Sequence, residues 1–108
     1  MPQWSKYKVA EILDRQYGNQ NKYTCDCNCF IELEGTTLVV PNSQYESVLK
    51  VNNTTIKTWD ISNSGTGVIE STLRKAFLFK KGDVISLNIN TNYTGGETVI
   101  KLYILPLE

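Results

Sequence analysis

Between residues 23 and 34 apolar and polar positions alternate one by one. Cys25, Cys27, Cys29, Ile31 and Leu33 fall on one side. Thr24, Asp26, Asn28, Glu32 and Glu34 fall on the other, with Phe30 the apolar exception. Successive side chains of an extended chain point to opposite faces, so a period of two predicts a half-buried β-strand. Gly35 is expected to end it, and residues 37–40 form a short run stopped by Pro41. Residues 47–52 read as the next strand. Asn52-Asn53 follows, and Asn tolerates the left-handed backbone of a tight hairpin. Residues 55–61 return, carrying Trp59, and 62–67 are a loop. Residues 68–71 and 76–79 read as two strands, with Lys80-Lys81-Gly82-Asp83 a turn after them. Residues 84–90 alternate again, with Ile85, Leu87 and Ile89 on one face. Residues 92–96 are a loop, and 98–105 a last strand closed by Pro106. Residues 7–17 depart from the pattern. Val9, Ile12 and Leu13 fit helical spacing, and Glu11 and Arg15 stand at i,i+4, so a short helix and an irregular first strand are both open. About eight short strands at regular spacing predict an all-β fold, an antiparallel, jelly-roll-like β-sandwich. It forms one domain over residues 1–108, with 1–22 a less regular N-terminal segment for attachment or subunit contact.

Composition narrows the function. Hydrophobic residues make up 41% and charged residues 20%, values of an ordinary globular chain. Eleven basic residues balance eleven acidic ones, so no electrostatic footprint for nucleic acid is expected. No apolar run approaches the roughly 20 residues of a membrane span. Met1-Pro2-Gln3-Trp4-Ser5-Lys6 has no apolar core like that of a signal peptide, so synthesis in a cytoplasm is expected. The chain has no histidine, which removes the commonest general acid/base and the usual partner of a Ser or Cys nucleophile. Gly65-Thr66-Gly67 lacks the third glycine and the helix of a phosphate loop. The expectation is a protein that is not an enzyme and carries no cofactor.

Three cysteines within five residues are the most unusual feature. On an extended strand, residues i and i+2 stand about 6.5–7 Å apart, at the limit for a disulfide and awkward for one tetrahedral zinc. The favoured reading is therefore three small buried apolar side chains with no metal bound. A thiol ring of Cys25, Cys27 and Cys29 between subunits is the alternative. Trp59 shares a strand face with Ile61 and is expected in the core. Tyr45 and Tyr93 are candidate ligand-binding aromatics, and Trp4 and Tyr7 candidate subunit or particle contacts. The sequons at Asn52, Asn53 and Asn92 read as turn sequences.

The order of segments carries a resemblance. Trp4-Ser5 is followed by Tyr23-Thr24, then by Leu49-Lys50-Val51-Asn52-Asn53. Phe79-Lys80-Lys81-Gly82-Asp83-Val84-Ile85 comes next, and Tyr103-Ile104-Leu105-Pro106 closes the chain. This resembles the small jelly-roll knob domains of bacteriophage fibre and appendage proteins, which share a layout with C1q- and TNF-like domains. Asn28-Cys29-Phe30 departs from it, where members often carry Asp-Gly and an aromatic. The resemblance implies a homotrimeric virion structural protein. Its partners would be its own copies, other virion proteins and host-surface glycans, and it would be made in the bacterial host cytoplasm. A chain of this length has no long shaft, which favours a head fibre or capsid appendage over a tail fibre or baseplate tip. A monomeric carbohydrate-binding module is the rival from another class.

Overall fold

The computed structural model describes the backbone of residues 8–13 and all of residues 21–89 and 95–107. Eight strands follow in chain order: β1 (Lys8–Leu13), β2 (Lys22–Thr24), β3 (Cys29–Val39), β4 (Ser43–Val51), β5 (Thr54–Asn63), β6 (Ile69–Phe79), β7 (Val84–Ile89) and β8 (Gly96–Pro106). They form two four-stranded sheets, β1-β8-β3-β6 and β2-β7-β4-β5. All pairings are antiparallel, and apart from the β4–β5 hairpin each step along the chain crosses from one sheet to the other, as in a jelly roll.

The core is what period two demands. Cys29, Ile31, Leu33, Thr37 and Val39 of β3 point inward, and Thr98, Ile100, Leu102 and Ile104 of β8 do the same. Leu49, Trp59, Ile85 and Leu87 meet them from the second sheet. Asn52 and Asn53 adopt φ of 49° and 69° between Val51 and Thr54, the left-handed pair that a two-residue hairpin needs. Gly82, at φ 95°, turns the chain between β6 and β7.

Gly35 does not end its strand. β3 runs through it, because the Trp59 ring from the opposite sheet occupies the space a side chain would fill. A Cβ there would stand 2.8 Å from Ile100 Cδ1 and 3.1 Å from Trp59 Cη2. The two runs expected at 68–71 and 76–79 are one strand. β6 pairs with β3 over eleven positions, and its mostly exposed side chains blur the alternation. Conversely, the strand expected over 23–34 is broken. β2 pairs with β7 in one sheet and β3 with β6 and β8 in the other, so residues 25–28 bend to cross between them. Residues 8–13 are a strand and not a helix. Pairing with the otherwise open edge of β8 over six positions outweighs helical spacing.

Two substitutions test this packing. Gly35→Ala should destabilise the domain by about 1–3 kcal/mol in chemical denaturation, because the ring and Ile100 must move. Increased stability, the usual result of replacing glycine in an open strand, would place Trp59 elsewhere. Leu87 is fully buried and Asn88 exposed. Leu87→Ala should cost about 2–5 kcal/mol and Asn88→Ala well under half of that; equal losses would mean the register of β7 is shifted.

Candidate functional site

Alternation along β3 sends Phe30, Glu32, Glu34, Thr36 and Leu38 to the outer face of the first sheet. Each stands in a cross-strand row with residues of β6 and β8. At one end the row is Leu105, Phe30 and Leu78, all apolar, with Leu78 73% and Phe30 38% exposed. At the other end Leu38 lies between Glu70 and Glu97. In the middle, Arg74 Nη2 is 2.7 Å from Glu34 Oε2, and its Nε is 3.6 Å from Glu32 Oε2. Tyr103 Oη donates to Glu34 Oε1 at 3.4 Å. Beside this cluster is a shallow depression of about 400 Å³ lined by Glu34, Thr36, Thr72, Leu73 and Arg74. Exposed pairs of this kind add little stability to a single domain.

A second surface adjoins the first. β5 and β6 are the last strands of their sheets on the same side, and β5 lies under β3. β6 therefore overhangs. Its inward residues Leu73 and Phe77, with Ile56 and Ile61 of β5, pack on the core and remain half-buried. Lys57 Nζ lies 5.9 Å from the centre of the Trp59 ring on this edge, and Lys75 is exposed. The outer face of the second sheet is polar by contrast, with Gln44, Thr58, Asp60, Ser62 and Asn88 exposed.

Of the aromatics singled out in the sequence, Tyr45 is not a surface platform. It is 1% exposed. β4 begins at Ser43, so the inward alternation of Ser47 and Leu49 extends back to Tyr45. Its hydroxyl lies 2.7 Å from Thr98 Oγ1. Thr98 Oγ1 also meets Thr37 Oγ1 at 2.7 Å and Ser47 Oγ at 3.0 Å, so Tyr45 belongs to a buried hydroxyl cluster joining the sheets. Trp59 is core, 2% exposed. Tyr93, Trp4 and Tyr7 lie outside the described residues. The sequence reading missed Asn63. It is buried and donates to Val39 O and Gly67 O, holding the loop that its Asn-Ser-Gly sequence announces.

The cysteines do not line one strand face, because residues 25–28 are a bend. Cys25 and Cys29 are buried, Cys27 is half-buried, and all three are free. Burial, then the neighbouring Cys29, pushes the Cys25 thiol up to about 12, and burial also raises Cys29. Among the described residues no group of His, Cys, Asp and Glu side chains is placed to hold a metal.

No family model and no curated protein sequence matches the chain. The globular domain of zebrafish complement 1qA protein superposes with a TM-score of 0.64 at 9% identity, over 87% of this chain and 94% of that one. Bushbaby GITRL gives 0.61 at 13% identity, over 94% and 97%. Pika GITRL gives 0.59 at 19% identity, over 91% and 98%. The fold is a C1q/TNF-like jelly roll. At these identities the likeness shows the fold alone. In this C1q/TNF-like frame the N-terminal strand β1 and the C-terminal strand β8 are neighbours in the first sheet, whose outer face carries the Arg74 cluster.

At the end of the sandwich that carries residues 25–28, Asp83 ties two turns together. It accepts from Lys80 N at 2.8 Å and from Asn52 Nδ2 at 3.0 Å. These bonds, the Lys80 amide first, hold its carboxyl below the ordinary 3.8. A depressed folded value means the stabilisation is fully present above the unfolded value and is lost as pH falls through the folded one. Asp83→Ala should therefore lower the melting temperature at neutral pH. The gap from wild type should narrow below pH 3.8. Thermal melts across a pH series check this, and a constant gap would show that the carboxylate charge is not the source.

Proposed function

We propose that this domain is a non-enzymatic structural protein of a bacteriophage particle, a homotrimeric head fibre or small capsid appendage that aids attachment to the host surface. The observation that supports assembly is the segregation of apolar surface. Part of it lies on the outer face of the first sheet, at Phe30 and Leu78, and part on the adjoining β5–β6 edge, while the second sheet's outer face exposes Gln44, Thr58, Asp60, Ser62 and Asn88. Contiguous exposed apolar patches of this kind mark interaction sites. The two surfaces differ in shape and charge. Glu32, Glu34, Glu70 and Glu97 outnumber Arg74 and Lys101 on the face, whereas Lys57 and Lys75 stand on the edge. A self-partner thus meets head to tail, the edge of one copy against the face of the next, and rotation closes the ring. C1q/TNF-like domains are typically homotrimers, which is the support for three copies. The phage setting is supported by the order of segments, the Lys80-Lys81-Gly82-Asp83 turn above all, that resembles fibre knobs. Other virion proteins and host glycans are its proposed partners.

Sedimentation at roughly tens of micromolar should show a compact trimer, with a melting temperature that rises with protein concentration. Leu78→Asp places a charge on an exposed position of the face, so it should give a folded monomer with unchanged circular dichroism. A wild-type monomer with a concentration-independent melting point would overturn assembly, and glycan binding by that monomer would install the carbohydrate-binding reading in its place.

A further inference from the structure

β5 and β6 close the same side of the sandwich, one from each sheet, and among the described residues no strand pairs with their outer edges. They run for ten and eleven residues, whereas β2, at the far edge of the second sheet, has three. A long bare edge presents a row of N–H and C=O groups on which another copy's strand can pair. β6 also carries side chains suited to such pairing. Ala76-Phe77-Leu78-Phe79 is an uncharged run of the kind that stacks into β-assemblies, and Leu78 is 73% exposed. Two lysines break the rule that fills the rest of the interior. On β6, Lys75 alternates with Leu73 and Phe77 and stands opposite Leu33. On β5, Lys57 alternates with Trp59 and stands opposite Leu49. Leu33 and Leu49 are fully buried, so each edge strand sets a charge on its inward face, level with the core. The bare edge gives these long side chains a way out. Lys75 is exposed, and Lys57 is half-buried with Nζ 5.9 Å from the centre of the Trp59 ring. Basic residues also flank the uncharged run, Arg74 and Lys75 before it and Lys80 and Lys81 after it.

We propose that Lys57 and Lys75 bar the β5–β6 edge from strand-to-strand pairing with a second copy of this chain. An added strand would turn each edge into a sheet interior. The two ammonium groups would then be shut between the sheets without a counter-charge, at a cost that the new backbone hydrogen bonds do not offset. Inward-pointing charge is one of the devices by which β-proteins keep bare edges from joining. The edge stays open only to a surface that covers it with side chains and leaves the ammonium groups an acidic or watery outlet. The guard acts on a lone domain and on a trimer alike, so it does not rest on the assembly proposed above.

The test compares the wild-type chain with two double variants. Lys57→Thr with Lys75→Thr puts strand-forming, uncharged and still polar residues at both positions. Lys57→Glu with Lys75→Glu keeps an inward charge. Circular dichroism and a denaturant midpoint check that each is folded. The threonine variant should grow into large thioflavin-binding particles at a concentration at least about tenfold below that needed by wild type. Hydrogen exchange in those particles should be newly slowed at backbone amides of β5 and β6. The glutamate variant should not grow, whatever its oligomeric state by sedimentation. Should the threonine variant fail to fold, Lys75→Gln, at an exposed position, takes its place with the same expected growth. An uncharged variant that keeps the wild-type size would overturn the proposal. So would growth without thioflavin binding, growth without protection of β5 and β6, or growth of the glutamate variant. A wild type that sediments as a monomer would count against the trimer and leave these outcomes to decide the guard.

Discussion

Trp59 can be buried only because residue 35 has no side chain. The indole of β5 reaches across the sandwich and lies against the β3 backbone, with Ile100 beside it. That contact, the largest side chain set on the smallest, holds β5 under β3. The rest of the sandwich follows from it. With β5 the last strand of its sheet and β3 the last but one of the other, β6 overhangs, with no described strand squarely beneath it. Leu73 and Phe77 keep their inward alternation but find only part of a core to fill. The apolar edge is thus a consequence of sheet register and not of a surplus of hydrophobic residues in β6. The fit has a cost, since Trp59 Nε1 is buried without a hydrogen-bond partner among the described residues. An unsatisfied donor of this kind costs about 1–3 kcal/mol, and the packing of the ring must exceed it.

A second contact fixes the sandwich by different physics. Thr98 Oγ1 meets Thr37, Tyr45 and Ser47, linking β8 and β3 of one sheet to β4 of the other. One hydroxyl offers one donor and two acceptor sites, so these three bonds saturate it. Four hydroxyls in the interior would be a liability if any lacked a partner, but satisfied they admit only one alignment of the sheets. Gly35 and Thr37 are neighbours on the inward face of β3, so steric fit and hydrogen-bond fit act side by side on the same strand.

This division explains which features were legible in the sequence. Local rules were enough for the Asn52-Asn53 hairpin, the turn at 80–83 and the inward face of β7, because each is set by residues adjacent in the chain. Gly35, Tyr45 and residues 25–28 were misjudged for one shared reason. Each has its role set by a strand far away in sequence: Trp59 over Gly35, Thr98 against Tyr45, and the pairing of β2 and β3 into different sheets. The cysteine alternation is the instructive case. Its period two continues unbroken through a bend, so patterning alone could not reveal that the chain leaves one sheet for the other. β6 failed for the opposite reason. It is a true strand, but an edge strand whose inward positions are mostly only half-buried displays a weak period. Of the candidate surface, Phe30 stood out in the sequence as an apolar residue on the polar face, and the structure sets it in a row with Leu78 and Leu105.

The charges on that face bear on how copies would fit together. Glu32, Arg74 and Glu34 form an exposed ion-pair cluster, and exposed pairs are nearly neutral in energy for a lone domain. Buried in the proposed assembly, the same groups would lose solvent, and their mutual attraction would at best offset that loss. They therefore cannot be what drives association. In the proposed assembly that would fall to the apolar row at Phe30 and Leu78 and to the overhanging edge at Leu73 and Phe77. What the cluster contributes is discrimination. A face that is net acidic opposes an identical face, which disfavours a two-fold, face-to-face pairing. It accepts an edge that carries Lys57 and Lys75. A chain whose formal charge is zero thus holds its charges apart, and in the proposed assembly that arrangement would favour a head-to-tail contact, which closes into a ring where the rotation between copies allows it.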